Sequence, residues 1–142
     1  MNEYYQVKLI EGKGMGCFAL KEIKIGTMIL QEKPQLLLPS GNWSIRDLAT
    51  SFKQMTDDED EEYLKLYNRF ENINNLNDQD KAKVNKWKQD LGENLVSFDE
   101  ERLKIILNII GIYVTNCFEN GVGIKMARFN HSCRSNAGKL SE

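Results

Sequence analysis

The stretch from Leu103 to Val114 restricts the possible folds more than any other part of the chain. Ile105, Ile106, Ile109, Ile110 and Tyr113 share one helical face, and Leu107, Ile112 and Val114 fill much of the rest. A helix that is apolar nearly all round has to be covered by other elements. The greasiest part, Ile105 to Val114, is interrupted by Asn108 and is too short to span a bilayer. The spacing therefore predicts a central core helix, capped by Ser97 or Asp99 and running to about Asn116.

The parts that precede it change character once. Tyr5, Val7 and Leu9 alternate with Gln6 and Lys8, which predicts a strand over Tyr4 to Ile10. Gly12, Gly14 and Gly16 then predict a loop, because glycine supplies positive φ and close backbone approach. Cys17 to Leu20 reads as a short strand, Lys24 to Thr27 as a turn, and Thr27 to Gln31 and Gln35 to Leu38 as two further strands around Pro34. From Trp43 the pattern becomes helical. Ser44 with Asp47 and Thr56 with Glu59 have capping-box spacing, opening a helix over Ile45 to Met55 and another whose stripe is Tyr63, Leu66, Tyr67 and Phe70. The acidic run Asp57 to Glu62 suits a solvated helix start. Asn-rich Glu71 to Asn77 reads as a loop, and Asp78 to Asp90 as a polar helix with a thin apolar side of Val84 and Trp87, ended by Leu91-Gly92-Glu93-Asn94. Gly121-Val122-Gly123 reads as a turn, and Gly138 to Glu142 as unstructured.

Composition excludes some functions. Lys+Arg 19 against Asp+Glu 21 gives a formal charge of -2, without the basic face that a sequence-independent grip on nucleic acid needs. Cys17, Cys117 and Cys133 are an odd set, expected to be reduced thiols. Glu3, Gln6 and Lys8 interrupt any secretory apolar region. The expectation is a protein of the nucleus or cytoplasm, neither secreted nor in a membrane.

Chemistry-bearing residues gather at two places. Gly12-Lys13-Gly14-Met15-Gly16 offers bare backbone groups to a ligand, but it lacks the Gly-Lys-Ser/Thr ending of a phosphate loop, and no helix follows it as a dinucleotide fingerprint requires. Read alone, it is a tight hairpin. Near the other end, Arg128-Phe129-Asn130-His131-Ser132-Cys133-Arg134-Ser135-Asn136-Ala137 holds the only histidine. A loop satisfying its own backbone, a site of three cysteines and one histidine on zinc, and a Cys–His hydrolase are the alternatives for it alone. No CxxC pair supports zinc, and nucleophile and base normally meet from distant positions.

Taken together, the two segments resemble a known family. Gly12 to Ala19, followed by Ile25-Gly26-Thr27-Met28-Ile29-Leu30-Gln31-Glu32-Lys33-Pro34, resembles the N-terminal half of a SET domain. Arg128 to Ala137 resembles the Asn-His-Ser-Cys-x-Pro-Asn motif of its C-terminal half. The resemblance implies an α+β SET fold, with small sheets near both ends and a helical insertion. It is organised as residues 1–42 (N-terminal half), 43–116 (insert) and 117–142 (start of the C-terminal half). The arrangement is similar to the SET and MYND proteins and their fungal relatives, without the MYND zinc module.

The implied activity is S-adenosylmethionine-dependent protein-lysine methylation. By resemblance Lys13, Gly14, Met15 and Gly16 would lie against the cofactor's methionine end. Asn130 would bond its amino group, His131 would meet its adenine through backbone, and Asn116 would stand beside the same pocket. Cys133 would ligate zinc only with post-SET cysteines of a longer form. The partner would be a histone or non-histone protein lysine, with no direct nucleic-acid contact. The sequence departs from the family pattern in two ways. Ser135 replaces the motif's Pro, and the strand and tyrosine that normally follow are not found after Gly138-Lys139-Leu140-Ser141-Glu142. The expectation is therefore an incomplete SET fold, truncated, weakly active and marginally stable. The alternatives are a catalytically inactive SET-like interaction module and a small zinc-binding module.

Overall fold

The computed structural model describes residues 2–94, 100–130 and 136–139. The chain forms two compact units, one of Met1–Gln31 with Arg128–Glu142 and the other of Glu32–Ala127. Helices and small antiparallel sheets make this an α+β fold.

The first unit is built on a hairpin. Strands β1 (Tyr5–Ile10) and β2 (Gly14–Ala19) pair antiparallel, with Tyr5 opposite Ala19, Val7 opposite Cys17 and Leu9 opposite Met15. The chain reverses within Glu11 to Lys13, where the Lys13 N–H donates to the Ile10 carbonyl at 3.0 Å and Gly12 takes φ +73°. A side chain there would be strained, so the tip needs glycine. Gly14 and Gly16 lie inside the ladder, which corrects the expected glycine loop. The two-residue alternation of a strand accommodates glycines once a partner strand holds their backbone.

The expected strand over Thr27 to Gln31 joins no ladder among the described residues. Asn2 anchors this stretch instead. Its Nδ2 donates to the Ile29 carbonyl at 3.1 Å, while its Oδ1 accepts from the backbone N–H groups of Tyr4 and Tyr5 at 2.8 and 3.1 Å. The predicted turn at Lys24 to Thr27 is present, closed by a 3.1 Å bond from the Thr27 N–H to the Lys24 carbonyl.

The second unit is organised around the predicted core helix. Helices α1 (Ile45–Lys53) and α2 (Asp57–Leu64) start at two-way capping boxes, Ser44 with Asp47 and Thr56 with Glu59. Helices α3 (Asp78–Asn94) and α4 (Glu100–Asn116) follow. Strands β3 (Leu36–Leu37) and β4 (Gly121–Val122) pair antiparallel. Residues Ile109 to Tyr113 of α4 are buried, packed in one cluster with Leu36, Leu38, Leu48, Tyr63, Leu91 and Val122. Burying one such Ile or Leu contributes about 1.5–3 kcal/mol. Only this half of α4 is enclosed; Ile105 is 55% exposed.

Three further expectations are corrected here. Helix α2 stops at Leu64, so Tyr63, Leu66, Tyr67 and Phe70 are not one stripe. Tyr63, Leu66 and Phe70 are buried through separate backbone turns, and Tyr67 is left 70% exposed. Helix α3 continues through Gly92 to Asn94, because Leu91 is buried and holds that turn against the core. Gly121 and Val122 form β4 rather than a turn, since the Gln35 N–H donates to the Val122 carbonyl at 3.0 Å and the Leu38 N–H to the Asn120 carbonyl at 2.9 Å; Pro34 stands so close to Gly121 that a Cβ there would clash. The Ser97 and Asp99 cap positions lie outside the described residues.

Candidate functional site

The first unit brings its two candidate segments together. Phe129 packs edge-on against Tyr5 of β1, with ring centroids 5.0 Å apart. This contact sets the chain beside the hairpin just before Asn130. The Asn130 side chain then donates from Nδ2 to the Met15 carbonyl at 3.3 Å. Between them sits Gly16, the buried residue of β2. A Cβ there would stand 2.5 Å from Ile10 Cδ1 and 3.0 Å from Asn130 Nδ2. A side chain at this point would have to push the end of the Ile10 side chain aside and would crowd the Asn130 amide.

The arrangement orients a polar group. With Nδ2 committed to the Met15 carbonyl, the carboxamide of Asn130 is held with Oδ1 as its acceptor. At the tip, Gly12 and Gly14 both take positive φ, and open space stands where side chains would be, so bare backbone faces solvent. Lys13 is exposed between them. Cys17, half-buried on β2, has its thiol pushed above the usual range by burial, partly opposed by the Arg128 guanidinium. That keeps it protonated and a poor nucleophile at neutral pH.

The sequence profile of the SET domain family matches residues 14–141. The chain belongs to the SET domain family. No curated protein and no solved structure matches it. SET domains are in general the domain of lysine methyltransferases, generally use S-adenosylmethionine and typically bind protein substrates. In this SET domain the matched segment begins at the first residue of β2 and takes in the Asn130 bridge.

Asn116 belongs to the second unit, at the end of α4. Its side-chain Nδ2 donates to the carbonyls of Tyr67 and Ile112 at 2.7 and 2.8 Å, fastening a loop to that helix. His131 and Cys133 lie outside the described residues. Among the described residues, no three His, Cys, Asp or Glu side chains gather as metal ligands. Nor does any described helix reach the length and apolarity needed to cross a membrane.

Sequence reasoning missed Asn2 and the asparagines that pin the second unit's loop. Asn68 is buried; its Nδ2 donates to Asn108 Oδ1 at 2.9 Å and its Oδ1 accepts from the Phe70 N–H at 2.9 Å. The only hint was the run of asparagines after Tyr67, which in sequence reads equally well as a plain loop.

Proposed function

We propose that this SET domain is an S-adenosylmethionine-dependent protein-lysine N-methyltransferase of the split kind, similar to the SET and MYND proteins. The observation that carries the reading is the bridge from Asn130 to the Met15 carbonyl across Gly16. It joins the glycine segment to the Asn-His-Ser-Cys segment, and those are the two motifs on which the resemblance rests.

The residues fit the cofactor's amino-acid end. An ammonium needs an oxygen acceptor, and the bridge leaves Asn130 Oδ1 in that role. A carboxylate needs approachable backbone N–H groups, and the bare tip around Gly12 and Gly14 provides open backbone. When bound, the cofactor would supply a methyl group on a positively charged sulfur. The chain's part is to hold and orient: the 3.3 Å bond to the Met15 carbonyl favours one orientation of the Asn130 carboxamide, which lowers the ordering cost at binding. Lys13, Gly14, Met15 and Gly16 would line this end, and His131 joins the proposal on sequence alone. The substrate would be a lysine of a histone or non-histone protein, in the nucleus or cytoplasm.

Calorimetric titration of the 142-residue chain with S-adenosylmethionine tests this, with an Asn130→Ala control whose fold is checked by circular dichroism. The expected result is binding by the wild type and a loss of about tenfold or more in the control, the size of one charge-assisted hydrogen bond. Absence of binding by a folded chain, or equal binding by the control, would overturn the reading.

A further inference from the structure

The backbone pairing of β3 with β4 cannot extend past Gln35, because Pro34 has no N–H to donate. Side chains take over where the ladder stops. Gln35 Oε1 accepts from the Ile124 N–H at 2.8 Å. Glu32, half-buried, takes the next two N–H groups: Oε2 accepts from Lys125 and Oε1 from Met126, both at 3.1 Å. Its carboxylate fills the space in which Gly123 would carry a side chain, and the Ala127 N–H closes the turn onto the Gly123 carbonyl at 2.9 Å. An anionic acceptor suits the N–H groups that open the 3-10 turn Met126–Arg128, and bonds to it are stronger than those to a neutral oxygen.

This clasp belongs wholly to the second unit, but it lies where the chain leaves that unit. The first unit is assembled from two pieces of chain, one ending at Gln31 and the other resuming at Arg128. Glu32 is the first residue after the one piece, and Met126 stands two residues before the other. The clasp therefore ties the root of the piece that carries Asn130 to the root of the piece that carries β1 and β2. Asn130 follows Met126 by four residues, a reach of at most about 14 Å.

We propose, resting on the methyltransferase reading of the Asn130 site, that Glu32 is a positioning residue for cofactor binding, acting through Lys125 and Met126 rather than on the ligand. With the clasp open, residues 123–127 gain freedom, and the Asn130 amide has to find the Met15 carbonyl from a less restricted start, at a greater entropy cost. The cofactor then meets a population in which the bridge is made only part of the time, and its apparent affinity falls by that fraction.

The test measures S-adenosylmethionine affinity of the 142-residue chain by calorimetry and follows the Asn130 side-chain NH2 resonances by NMR, with folding of every variant checked by circular dichroism. Glu32→Ala should shift those resonances and weaken binding about three- to tenfold, the loss when the bridge is made in a third to a tenth of the molecules. Glu32→Gln, with one acceptor oxygen for two N–H groups, should fall between Ala and wild type. Gly123→Ala should reproduce the loss with Glu32 intact, because its methyl takes the carboxylate's place. Tyr63→Phe, a destabilising change elsewhere in the second unit, should leave both readouts unmoved. A folded Glu32→Ala chain that keeps wild-type affinity or leaves the Asn130 resonances in place would overturn the proposal, as would an equal loss in Tyr63→Phe. If Glu32→Ala fails to fold, unchanged readouts in both Glu32→Gln and Gly123→Ala overturn it instead. Failure of the wild type itself to bind would sink the methyltransferase reading, and the Asn130 resonances alone would then decide whether Glu32 positions that residue.

Discussion

The carboxamide of Asn68 fills the space in which Gly111 of α4 would carry a side chain. Three of its atoms would collide with a Cβ on Gly111. This contact joins the loop after α2 to the centre of the core helix.

Gly111→Ala should therefore destabilise the protein by about 1–3 kcal/mol through overpacking, although alanine favours a helix by about 1 kcal/mol. In an Asn68→Ala background the same change should become neutral or stabilising, because the obstacle is gone. Urea denaturation of the four proteins in this cycle reads the coupling directly. Additive effects would mean that the contact carries no energy.

Stability should fall at alkaline pH. Tyr63 is fully buried and its hydroxyl donates to the Ile109 carbonyl at 2.8 Å. Burial drives its hydroxyl well above the ordinary value of 10.0, and burial, with the Cys117 thiol second, pushes Tyr113 up to about 12. A raised folded-state value means the folded protein keeps the proton that the unfolded chain has lost. The contribution is complete below pH 10 and is lost as pH rises from 10 towards 12 and beyond. Thermal denaturation across that range should show the decline. Tyr63→Phe should flatten it while costing about 1–2 kcal/mol at neutral pH for the missing hydrogen bond.

Among the hairpin glycines, Gly16→Ala should differ from Gly12→Ala in kind. At Gly16 the methyl meets Ile10 and Asn130, whereas at Gly12 it meets open space but a φ of +73°. The Gly12 variant should lose about 1 kcal/mol to backbone strain. The Gly16 variant should also displace the Asn130 side chain, visible as a shift of its side-chain NH2 resonances. An unmoved Asn130 signal would show that the bridge is not as tight as its geometry states.

Glu119 is the described non-glycine residue at positive φ, +56°, in the turn that joins Phe118 to Gly121. Glu119→Gly should relieve that strain and stabilise the protein by about 0.5–1 kcal/mol, after the larger unfolded-state freedom of glycine is subtracted. A melting temperature that falls would count against strain at this position.

The parts legible in the sequence were those decided by local spacing. Both capping boxes formed as read, because a Ser or Thr three residues before an acid satisfies helix-end donors using nothing but its own segment. The β1 alternation and the apolar helix α4 were legible for the same reason, since each repeats a pattern along one element. The Thr27 to Gln31 stretch was misread because strand propensity becomes a strand only with a partner, and here Asn2 supplies the bond instead. The α2 stripe was misread because Tyr63, Leu66 and Phe70 reach the core without a continuous helix.

By itself the sequence determined the family motifs, the helix starts and the identity of the core helix, because these are written in residues close together along the chain. Only the tertiary structure decided that Asn130 reaches the Met15 carbonyl, 115 positions away, over a glycine that leaves it room. It also decided that Asn68, Thr115 and Asn116 pin the Tyr67 to Phe70 loop to α4. A carboxamide can bond equally well to its own backbone, to water or to a distant carbonyl, and its residue type does not say which; only packing brings one partner within reach.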